Sequence, residues 1–375
     1  MKIVYISNSI IPSRAANSIH VMKMCQAFAE NGHEVVLLAP NRYKEYEKGV
    51  EDVYEYYGVK NNFKIKKLWY PNSKYLKGKD LFYGVGIFLY LFFHKPTLSY
   101  SRFTTGSLFS ILAKVPSIYE SHVPAWYSHK NERFSFNLIK RMSNLIKIVV
   151  ISEALKSIYQ KSKILPENLM IEVEHDGTDI YESIENMNFS GKNTFNIGYI
   201  GHLYKGRGID IIIECAKVLK NVNFHIIGGT EKDILYWKKQ VNLPNLLFYG
   251  FMQPSKVAAY RNSFDILLAP YQKEVNVSGN DNISTAEYMS PLKIFEYMGS
   301  KKPIICSDLP VIREVLNDLN SKLVSPDNIE EWICAIQDLK SNHKLRDNLA
   351  MQAFADVQKH TWLQRAKNLL TGITK

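Results

Sequence analysis

The sequence predicts an α/β protein with two successive doubly wound parallel sheets. The chain has 375 residues, of which 46% are hydrophobic and 22% charged, and this composition suits a folded protein of two domains. Short apolar runs alternate with helical patterns in both halves, which is typical of strand–helix–strand units. A polar stretch at 183–193 separates the two series and has the composition of a linker.

The first half opens with a strand–helix–strand unit. A buried strand is predicted at 2–6, and Ser18 is the expected N-cap of a helix from Ile19 to about Asn31. A strand at 34–39 follows, and this order indicates a parallel sheet because a helical crossover returns the chain in the same direction. Further strands are predicted at 117–120 and 146–152, and residues 134–147 carry apolar side chains at helical spacing.

The second half repeats the alternation from residue 195 onward. Strands are predicted at 195–201, 223–229, 246–251, 265–270 and 303–308, and helices at 210–220, 254–262, 292–299, 310–317 and 343–373. We expect a Rossmann-like domain at 1–182, a second one at 193–355 and a terminal helical segment at 356–375. Two such domains predict a cleft between them, because ligands of doubly wound sheets bind beyond the carboxyl ends of the strands.

The composition argues against a disulfide-linked, zinc-binding or membrane-spanning protein. The four cysteines are far apart and form no CxxC pair. The N-terminus lacks the pattern of a signal peptide, and the most apolar run, residues 81–93, is shorter than the ~20 residues of a transmembrane helix. We expect the protein to be made and kept in the cytoplasm.

The excess positive charge lies in the first half. The net charge is +11, and residues 1–170 hold 24 Lys and Arg against 12 Asp and Glu, whereas residues 171–375 hold 23 against 24. Residues 60–79 contain seven lysines, no acid and several aromatic residues, and the apolar run follows at once. Segment 60–93 therefore suits an anionic membrane surface, and a solvated lysine face beside a buried helix is the alternative. We expect no nucleic-acid partner, because no nucleic-acid-binding motif accompanies these residues.

A glycine-rich turn, GHLYKGRG at 201–208, is the first candidate for ligand chemistry. It follows a predicted strand and precedes a predicted helix, where free backbone amides bind phosphate. His202, Lys205 and Arg207 add basic side chains. The pattern matches neither a GxGxxG nor a Walker loop, so a sharp turn with exposed cations is the alternative.

The second candidate for ligand chemistry is the start of the helix predicted at 292–299. Ser290 is its expected cap, and Pro291 suits the first turn. The free amides of that turn, together with Lys293, would bind an anion. Glu296 lies about one turn after Lys293, so its carboxylate would accept ribose hydroxyls or form a surface pair with that lysine.

The glycine-rich turn resembles a motif of the family 4 retaining glycosyltransferases, which have the GT-B fold. Residues 201–210 stand in the register of the family's G-R-L-x-x-x-K-G-V-D. The resemblance implies that Arg207 takes the place of a phosphate-binding Lys, and that His202, after Gly201, takes the place of a phosphate-binding Arg. Lys205 would supply the charge that His202 lacks.

The segment SPLKIFEYM at 290–298 resembles a second signature, in which a Glu is followed by seven residues and another Glu. Glu296 matches the second Glu, to which the resemblance assigns the nucleotide ribose. Tyr288 stands where the first Glu would contact the donor sugar, and Glu287 is one position early. The resemblance also assigns diphosphate contacts to Ser290, Pro291, Leu292 and Lys293, and contacts with the base to Phe251 and Met252.

The first half resembles the family's other domain. Asn17 and Ser18 stand near the position of a Gly-Gly pair that approaches the donor diphosphate. His122, in IYESHVP, stands where the family often has an active-site histidine near the donor sugar, and Glu120 is a second polar group there or its hydrogen-bond partner. Trp362 lies in a helix that resembles one crossing back to the first domain. We interpret His20 and His129 as structural, and Asp176 and Asp179 as turn formers.

The resemblance implies a retaining transferase that moves a sugar from a nucleotide-sugar donor, with UDP as the expected nucleotide, to an envelope, capsule or lipid-linked glycan. The domain at 1–182 would bind the acceptor, that at 193–355 the donor, and segment 356–375 would cross back. No cofactor or metal is expected, because the sequence has no DxD motif and no clustered His/Asp set. Two alternatives stay open: a nucleotide-sugar 2-epimerase on the same fold, and a non-catalytic nucleotide-sugar-binding subunit of a transferase complex.

Overall fold

The computed structural model describes residues 1–72, 75–181, 187–189, 195–277 and 280–373. The chain divides into two compact units, of which the first is Met1–Asp176 together with the chain from Trp362 onward, and the second is Gly177–Thr361. The predicted linker 183–193 lies outside the described residues, apart from 187–189, as do the predicted boundaries at 182 and 193.

The first unit contains a parallel sheet of seven strands with helices on its faces. In chain order the strands are β1 (Lys2–Ile6), β2 (Glu34–Pro40), β3 (Lys64–Leu68), β4 (Leu98–Ser101), β5 (Ser117–Ser121), β6 (Leu145–Val150) and β7 (Met170–Val173). The helices are α1 (Ala16–Glu30), α2 (Val53–Tyr57), α3 (Lys79–His94), α4 (Thr104–Leu112), α5 (Lys130–Ile139), α6 (Glu153–Ser162) and a C-terminal helix (Trp362–Leu369) that packs against α1. The spatial order of the strands is β3-β2-β1-β4-β5-β6-β7.

The second unit contains a parallel sheet of six strands and a short antiparallel hairpin. Its strands are β8 (Asn196–Ile200), β9 (Asn223–Ile227), β10 (Leu246–Gly250), β11 (Ile266–Ala269), β12 (Asn276–Val277), β13 (Asn280–Ser284), β14 (Ile304–Ser307) and β15 (Lys322–Val324). Its helices are α7 (Ile209–Val218), α8 (Glu231–Gln240), α9 (Pro254–Asn262), α10 (Leu292–Met298), α11 (Ile329–Ser341) and α12 (His343–Val357). The parallel sheet has the order β10-β9-β8-β11-β14-β15, and β12 pairs with β13. The predicted fold class, two doubly wound Rossmann-like sheets, is confirmed.

The central strands are buried on both faces, which explains why they read as continuous apolar runs. In the first unit, Val4 and Ile6 pack with Tyr83, Ile87 and Leu91 of α3. In the second unit, side chains of β8, β9, α7 and α11 form one core. Polar side chains at the strand ends are therefore held by a rigid apolar layer.

The predicted start of α1 is wrong. The helix begins at Ala16, its N-cap is Ala15, and no side chain caps it. Ser18 lies inside the first turn, and its hydroxyl donates to the carbonyl oxygens of Ala15 at 2.7 Å and Ser13 at 3.0 Å. A serine at this position satisfies carbonyls of the preceding loop rather than the free amides of the helix.

Three other helix predictions are wrong in extent. The pattern at 134–147 covers the end of α5 and the start of β6, because the chain from Leu145 onward pairs with β5. Residues 310–317 contain only a 3-10 turn at Ile312–Glu314, since Asn320 donates to the Val315 carbonyl at 3.2 Å and accepts from the Asn317 amide. The stretch 343–373 is divided between α12 and the C-terminal helix.

The apolar run 81–93 lies in α3, which is only half covered. Tyr83, Ile87 and Leu91 face the sheet, whereas an opposite apolar face is exposed: Leu81, Phe82, Val85, Leu89, Phe92 and Phe93. The alternative of a buried helix beside a lysine face is therefore wrong. Within the described ranges, no helix has the length and apolar character needed to cross a membrane.

Candidate active site

The glycine-rich turn connects β8 with α7 and depends on a glycine at its end. Gly208 has a φ of +74°, a left-handed backbone that other residues rarely adopt, and a Cβ there would lie 1.9 Å from the Pro270 carbonyl oxygen. The turn therefore packs closely against the chain that follows β11. This approach places the Arg207 guanidinium 5.5 Å from the centre of the Tyr271 ring.

Lys293 joins Arg207 at the same tyrosine. Its Nζ lies 3.9 Å from the centre of the Tyr199 ring and 5.0 Å from that of Tyr271. Cations placed over aromatic faces are attracted to the ring electrons and lose part of their hydration. Two cations from separate segments thus converge on one pair of tyrosines.

These cations have no acidic group at ion-pair distance within the described part of the chain, although the Glu296 carboxylate acts on the pKa of Lys293 and raises it. Neither Arg207 nor Lys293 forms an ion pair there, and Arg207 Nε is buried without a hydrogen-bond partner. Burial lowers the pKa of Lys293 well below its usual value, and the neighbouring Arg207 lowers it further. Uncompensated positive charge with an unsatisfied donor is the arrangement expected of an anion site.

The rest of the turn contributes less charge than predicted. Burial, Arg207 and Lys293 lower the pKa of His202 to about 4, so its ring, stacked on Tyr204, is neutral at pH 7. Lys205 is exposed. Gly201 lies against Lys293, because a Cβ on it would come 2.8 Å from the lysine Nζ.

Glu296 pairs with an arginine rather than with Lys293. Its Oε2 lies 3.2 Å from Nη1 of Arg261, which is buried at the end of α9, and the glutamate side chain is partly exposed. The alternative of a Lys293–Glu296 surface pair is therefore wrong. Arg261 holds the carboxylate in place while one edge stays accessible.

The predicted cap of α10 is wrong. The helix begins at Leu292, its N-cap is Pro291, and no side chain caps it; Ser290 precedes the cap and is buried. Phe251 and Met252 follow β10 and are half-buried, whereas Tyr288 is buried and Glu287 exposed. Their predicted contacts with a substrate stay predictions.

The first unit holds a second polar cluster, at the end of β5. Glu120 is fully buried, and one of its carboxylate oxygens, Oε1, accepts a short hydrogen bond from His122 Nε2. His20 Nε2 lies 3.0 Å from the same oxygen. The Tyr100 hydroxyl donates to Oε2, and Arg365 Nη1 reaches Oε2 at 3.2 Å. The expectation that Glu120 is the hydrogen-bond partner of His122 is confirmed.

His20 connects this cluster to Asp176, the last residue of the N-terminal part of the first unit, and to Trp362. Its Nδ1 lies 2.8 Å from Oδ1 of the buried Asp176, and its ring packs edge-on against Trp362 at 5.1 Å between centroids. Arg365 donates from Nε to the His175 carbonyl oxygen at 2.8 Å. The interpretation of Asp176 as a turn former is incomplete, because its carboxylate orients a buried histidine.

The pKa values follow from these partners. Burial alone would raise the pKa of Glu120, but Arg365, His20 and His122 outweigh it and hold that pKa well below its usual value. Burial, with the charge of Arg102, lowers the pKa of His122 to about 4, so the histidine is neutral at pH 7. A side-chain exposure of 24% makes His122 more accessible than Glu120 and His20, which are at most 1% exposed.

Sequence spacing did not reveal that His20, Glu120 and His122 converge. Their potential metal-ligating atoms lie within 4.8 Å of one another. Arg365 and Tyr100 contact Glu120 Oε2 and His122 contacts Oε1, whereas the buried His20 Nε2, 3.0 Å from Oε1, forms no hydrogen bond with a described residue. The indication of this cluster in the sequence is that Glu120 and His122 lie two residues apart at the end of one predicted strand.

The two residues predicted near the donor diphosphate differ in position. Asn17 is exposed on the first turn of α1, and its carbonyl oxygen accepts from Arg102 Nη1 at 2.9 Å. Ser18 is fully buried. The structure therefore leaves the Asn17 side chain accessible and directs the Ser18 hydroxyl inward.

A family model matches a large part of the second unit. Residues 194–342 match the model described as "Glycosyl transferases group 1". A Bacillus subtilis (strain 168) protein assigned as a teichuronic acid biosynthesis glycosyltransferase is 22% identical over 188 residues, which are 47% of this chain and 45% of that protein. The chain spans less than half the length of the curated relatives it matches.

Solved structures agree with the whole fold. Sucrose-phosphate synthase from Thermosynechococcus elongatus has a TM-score of 0.72 at 14% identity, covering 98% of this chain and 97% of that one. The Anabaena protein Alr3699/HepE in complex with UDP-glucose has a TM-score of 0.70 at 16% identity, covering 100% of both chains. At these identities the solved structures show the fold alone, which is that of two Rossmann-like α/β domains, as in GT-B structures.

Proposed function

We propose that the protein is a retaining glycosyltransferase that moves a sugar from a UDP-sugar to an envelope, capsule or lipid-linked glycan. The observation that carries this proposal is the convergence of Arg207 and Lys293 on two tyrosines without an acidic partner in the described residues. This cation pair lies within the segment that matches the group 1 glycosyltransferase model. A nucleotide diphosphate supplies the negative charge that the site lacks.

Two comparisons support the choice of donor and acceptor. The Anabaena structures contain UDP, UDP with glucose, or UDP-glucose. The matched Bacillus subtilis protein carries a name from teichuronic acid biosynthesis. We therefore take UDP-glucose as the first donor to test and a cell-envelope glycan as the acceptor class.

Catalysis would depend on charge stabilisation rather than on a covalent intermediate. In the proposed step the acceptor oxygen attacks the anomeric carbon from the face that the leaving diphosphate vacates, and its proton passes to the leaving phosphate. Arg207 and Lys293, with Lys205 at the rim, stabilise the negative charge that develops on that phosphate. Glu296, held by Arg261, binds the ribose hydroxyls, and His122 contacts a sugar hydroxyl. We propose no cofactor or metal for this step.

The acceptor's location is proposed from the surface of α3. Its exposed apolar face includes Phe82, which contacts the exposed Trp69 at 6.1 Å between ring centroids. Lys64 and Lys66 of the neighbouring β3 are exposed as well. Exposed apolar and aromatic side chains beside lysines suit an anionic bilayer, so we propose peripheral binding at the inner face of the cell membrane.

Liposome sedimentation tests this membrane proposal. Exchanging Lys64 and Lys66 for Glu should reduce binding to vesicles that contain phosphatidylglycerol. The matched control is the same exchange at the exposed Lys238 and Lys239 of α8, which should leave binding unchanged. Equal binding by both variants and the wild type would remove the membrane from the proposal.

Proton NMR tests the transfer reaction. The purified protein is incubated with UDP-, GDP- and ADP-sugars, each alone, beside the Glu296→Ala variant. Slow release of an α-configured sugar from an α-donor, lost in the variant, is the expected result and identifies the donor. Conversion of a donor into its epimer would show an epimerase instead, and line broadening with no turnover, even with acceptor glycans added, would favour a binding subunit.

A further inference from the structure

One neighbour determines which ring nitrogen of His122 carries the proton. His122 Nε2 is in hydrogen-bond contact with Glu120 Oε1. A carboxylate only accepts hydrogen bonds, so the proton of the neutral ring must lie on Nε2. The other nitrogen, Nδ1, then carries a lone pair, and no described residue forms a hydrogen bond with it.

Glu120 is itself held from several sides. Oε2 receives the Tyr100 hydroxyl and the Arg365 guanidinium, and the His20 ring lies against Oε1. The side chain is fully buried, so it cannot turn to solvent. The charged groups around the pair are Arg102, at 3.9 Å from Oε1, Arg365 and Asp176, and all three are buried or nearly so.

We propose that Glu120 is a positioning residue that keeps the proton of His122 on Nε2, so that Nδ1 accepts a hydrogen bond from a hydroxyl of a sugar substrate. This proposal rests on the proposed contact of His122 with a sugar hydroxyl. Orienting a histidine through a buried carboxylate fixes both its tautomer and its ring angle. Glu120 acts only through His122 and does not itself contact the substrate.

The Glu120→Gln variant gives a specific expectation. Arg365 and Tyr100 both donate toward Oε2, so the amide oxygen should occupy that position and the amide NH₂ should face His122. The NH₂ group donates, which requires His122 to accept through Nε2 and to move its proton to Nδ1. The acceptor that the sugar hydroxyl needs would then be lost.

Nitrogen-15 NMR of histidine-labelled full-length protein, without substrate, tests this directly. We expect the wild-type His122 ring to be neutral at pH 7 with its proton on Nε2, and to be in the Nδ1–H form in Glu120→Gln. Tyr100→Phe is the matched control, because it removes a donor from Oε2 and leaves the contact of Oε1 with Nε2. A wild-type ring that is charged, protonated on Nδ1 or bound to a metal through Nε2 would overturn the proposal, even if the variant fails to fold.

Kinetics provide the second readout. With the donor that the wild type turns over, Glu120→Gln should lower kcat/KM by about 10–100-fold, because one hydrogen bond to a sugar hydroxyl is lost. Tyr100→Phe should stay within about threefold of the wild type. A folded Glu120→Gln protein with wild-type kcat/KM or the Nε2–H tautomer would contradict the proposal. If the wild type turns over no donor, the proposed function fails, while the tautomer measurement still decides the role of Glu120.

Discussion

The polar clusters of the two units differ in how their charges are compensated. In the first unit, Glu120 and Asp176 are surrounded by buried partners, including Arg365 and His20. In the second unit, Arg207 and Lys293 converge without an acidic partner among the described residues. The first arrangement fixes the geometry of its members, and the second leaves positive charge for an external anion.

The same type of substitution should therefore have opposite consequences in the two clusters. Removing a charge from the first cluster leaves a buried partner uncompensated and should destabilise the fold. Removing one from the second cluster relieves repulsion between cations and should affect ligand binding instead. Stability and affinity measurements on matched variants can therefore separate the two designs.

The largest expected effect is on stability, from Glu120→Ala. The substitution leaves Arg365 buried without its carboxylate, which we expect to cost roughly 3–5 kcal/mol in the free energy of unfolding. Urea denaturation measures this change, and Glu45→Ala, which breaks the exposed Glu45–Lys48 pair, should cost less than about 0.5 kcal/mol. Equal losses of unfolding free energy in the two variants would show that the buried cluster stabilises the fold no more than an exposed ion pair does.

The second effect is on affinity, from Arg207→Ala. We expect UDP to bind about a hundredfold more weakly, because a charge-assisted hydrogen bond to the diphosphate is lost, while the thermal midpoint stays unchanged or rises. Isothermal titration calorimetry measures the affinity. The control is Arg313→Ala in the same unit, whose guanidinium is already paired with Asp308 and which should bind UDP normally. An Arg207→Ala protein with wild-type affinity would refute the open anion site.

The third effect is destabilisation at acid pH. Two histidines whose pKa is lowered by burial, His202 and His225, lie in the second unit. Burial lowers the pKa of His225 to about 4, as it does for His202, compared with about 6.5 in an unfolded chain. Between these values the unfolded chain binds more protons, so stability is lost as the pH falls from about 6.5 to 4. We expect His225→Gln to reduce the slope of unfolding free energy against pH in this range. An unchanged slope would contradict the assignment.

The smallest effect is proton uptake on donor binding. Burial holds the pKa of Lys293 well below its usual value, and a bound diphosphate should raise that pKa, so any change in the protonation of this lysine on binding should be an uptake. Titration of UDP-glucose at the same pH in buffers of different ionisation enthalpy measures the uptake. We expect Lys293→Met to abolish it, and uptake that persists in this variant would assign the proton to another group.

The fold could be predicted from the sequence because central parallel strands are apolar on both faces. β1 matches its predicted bounds, and β11 and β14 lie within theirs. Among the strands that were not predicted, β3 reads KIKKL at the edge of its sheet, β4 is serine-rich, and β7, β12 and β15 have two to four residues. Their pairing is decided by neighbouring strands, which a local pattern does not contain.

The cations of the candidate site were predictable, but their partners were not. Arg207 could be found because it lies in a glycine-rich turn, and Lys293 because it opens a predicted helix. The Glu296–Arg261 pair and the contact of Arg365 with Glu120 join residues far apart in the chain. The sequence favours a structural role for His20, because a lone histidine on a helix does not indicate the carboxylates that the fold places beside it.

A crystal structure of the protein with UDP tests the central claim most directly. We predict that oxygens of the diphosphate lie within about 3 Å of both the Arg207 guanidinium and Lys293 Nζ, with the ribose on Glu296 and the Glu120 cluster unchanged. A diphosphate bound elsewhere, with Arg207 and Lys293 still facing only the two tyrosines, would contradict the account.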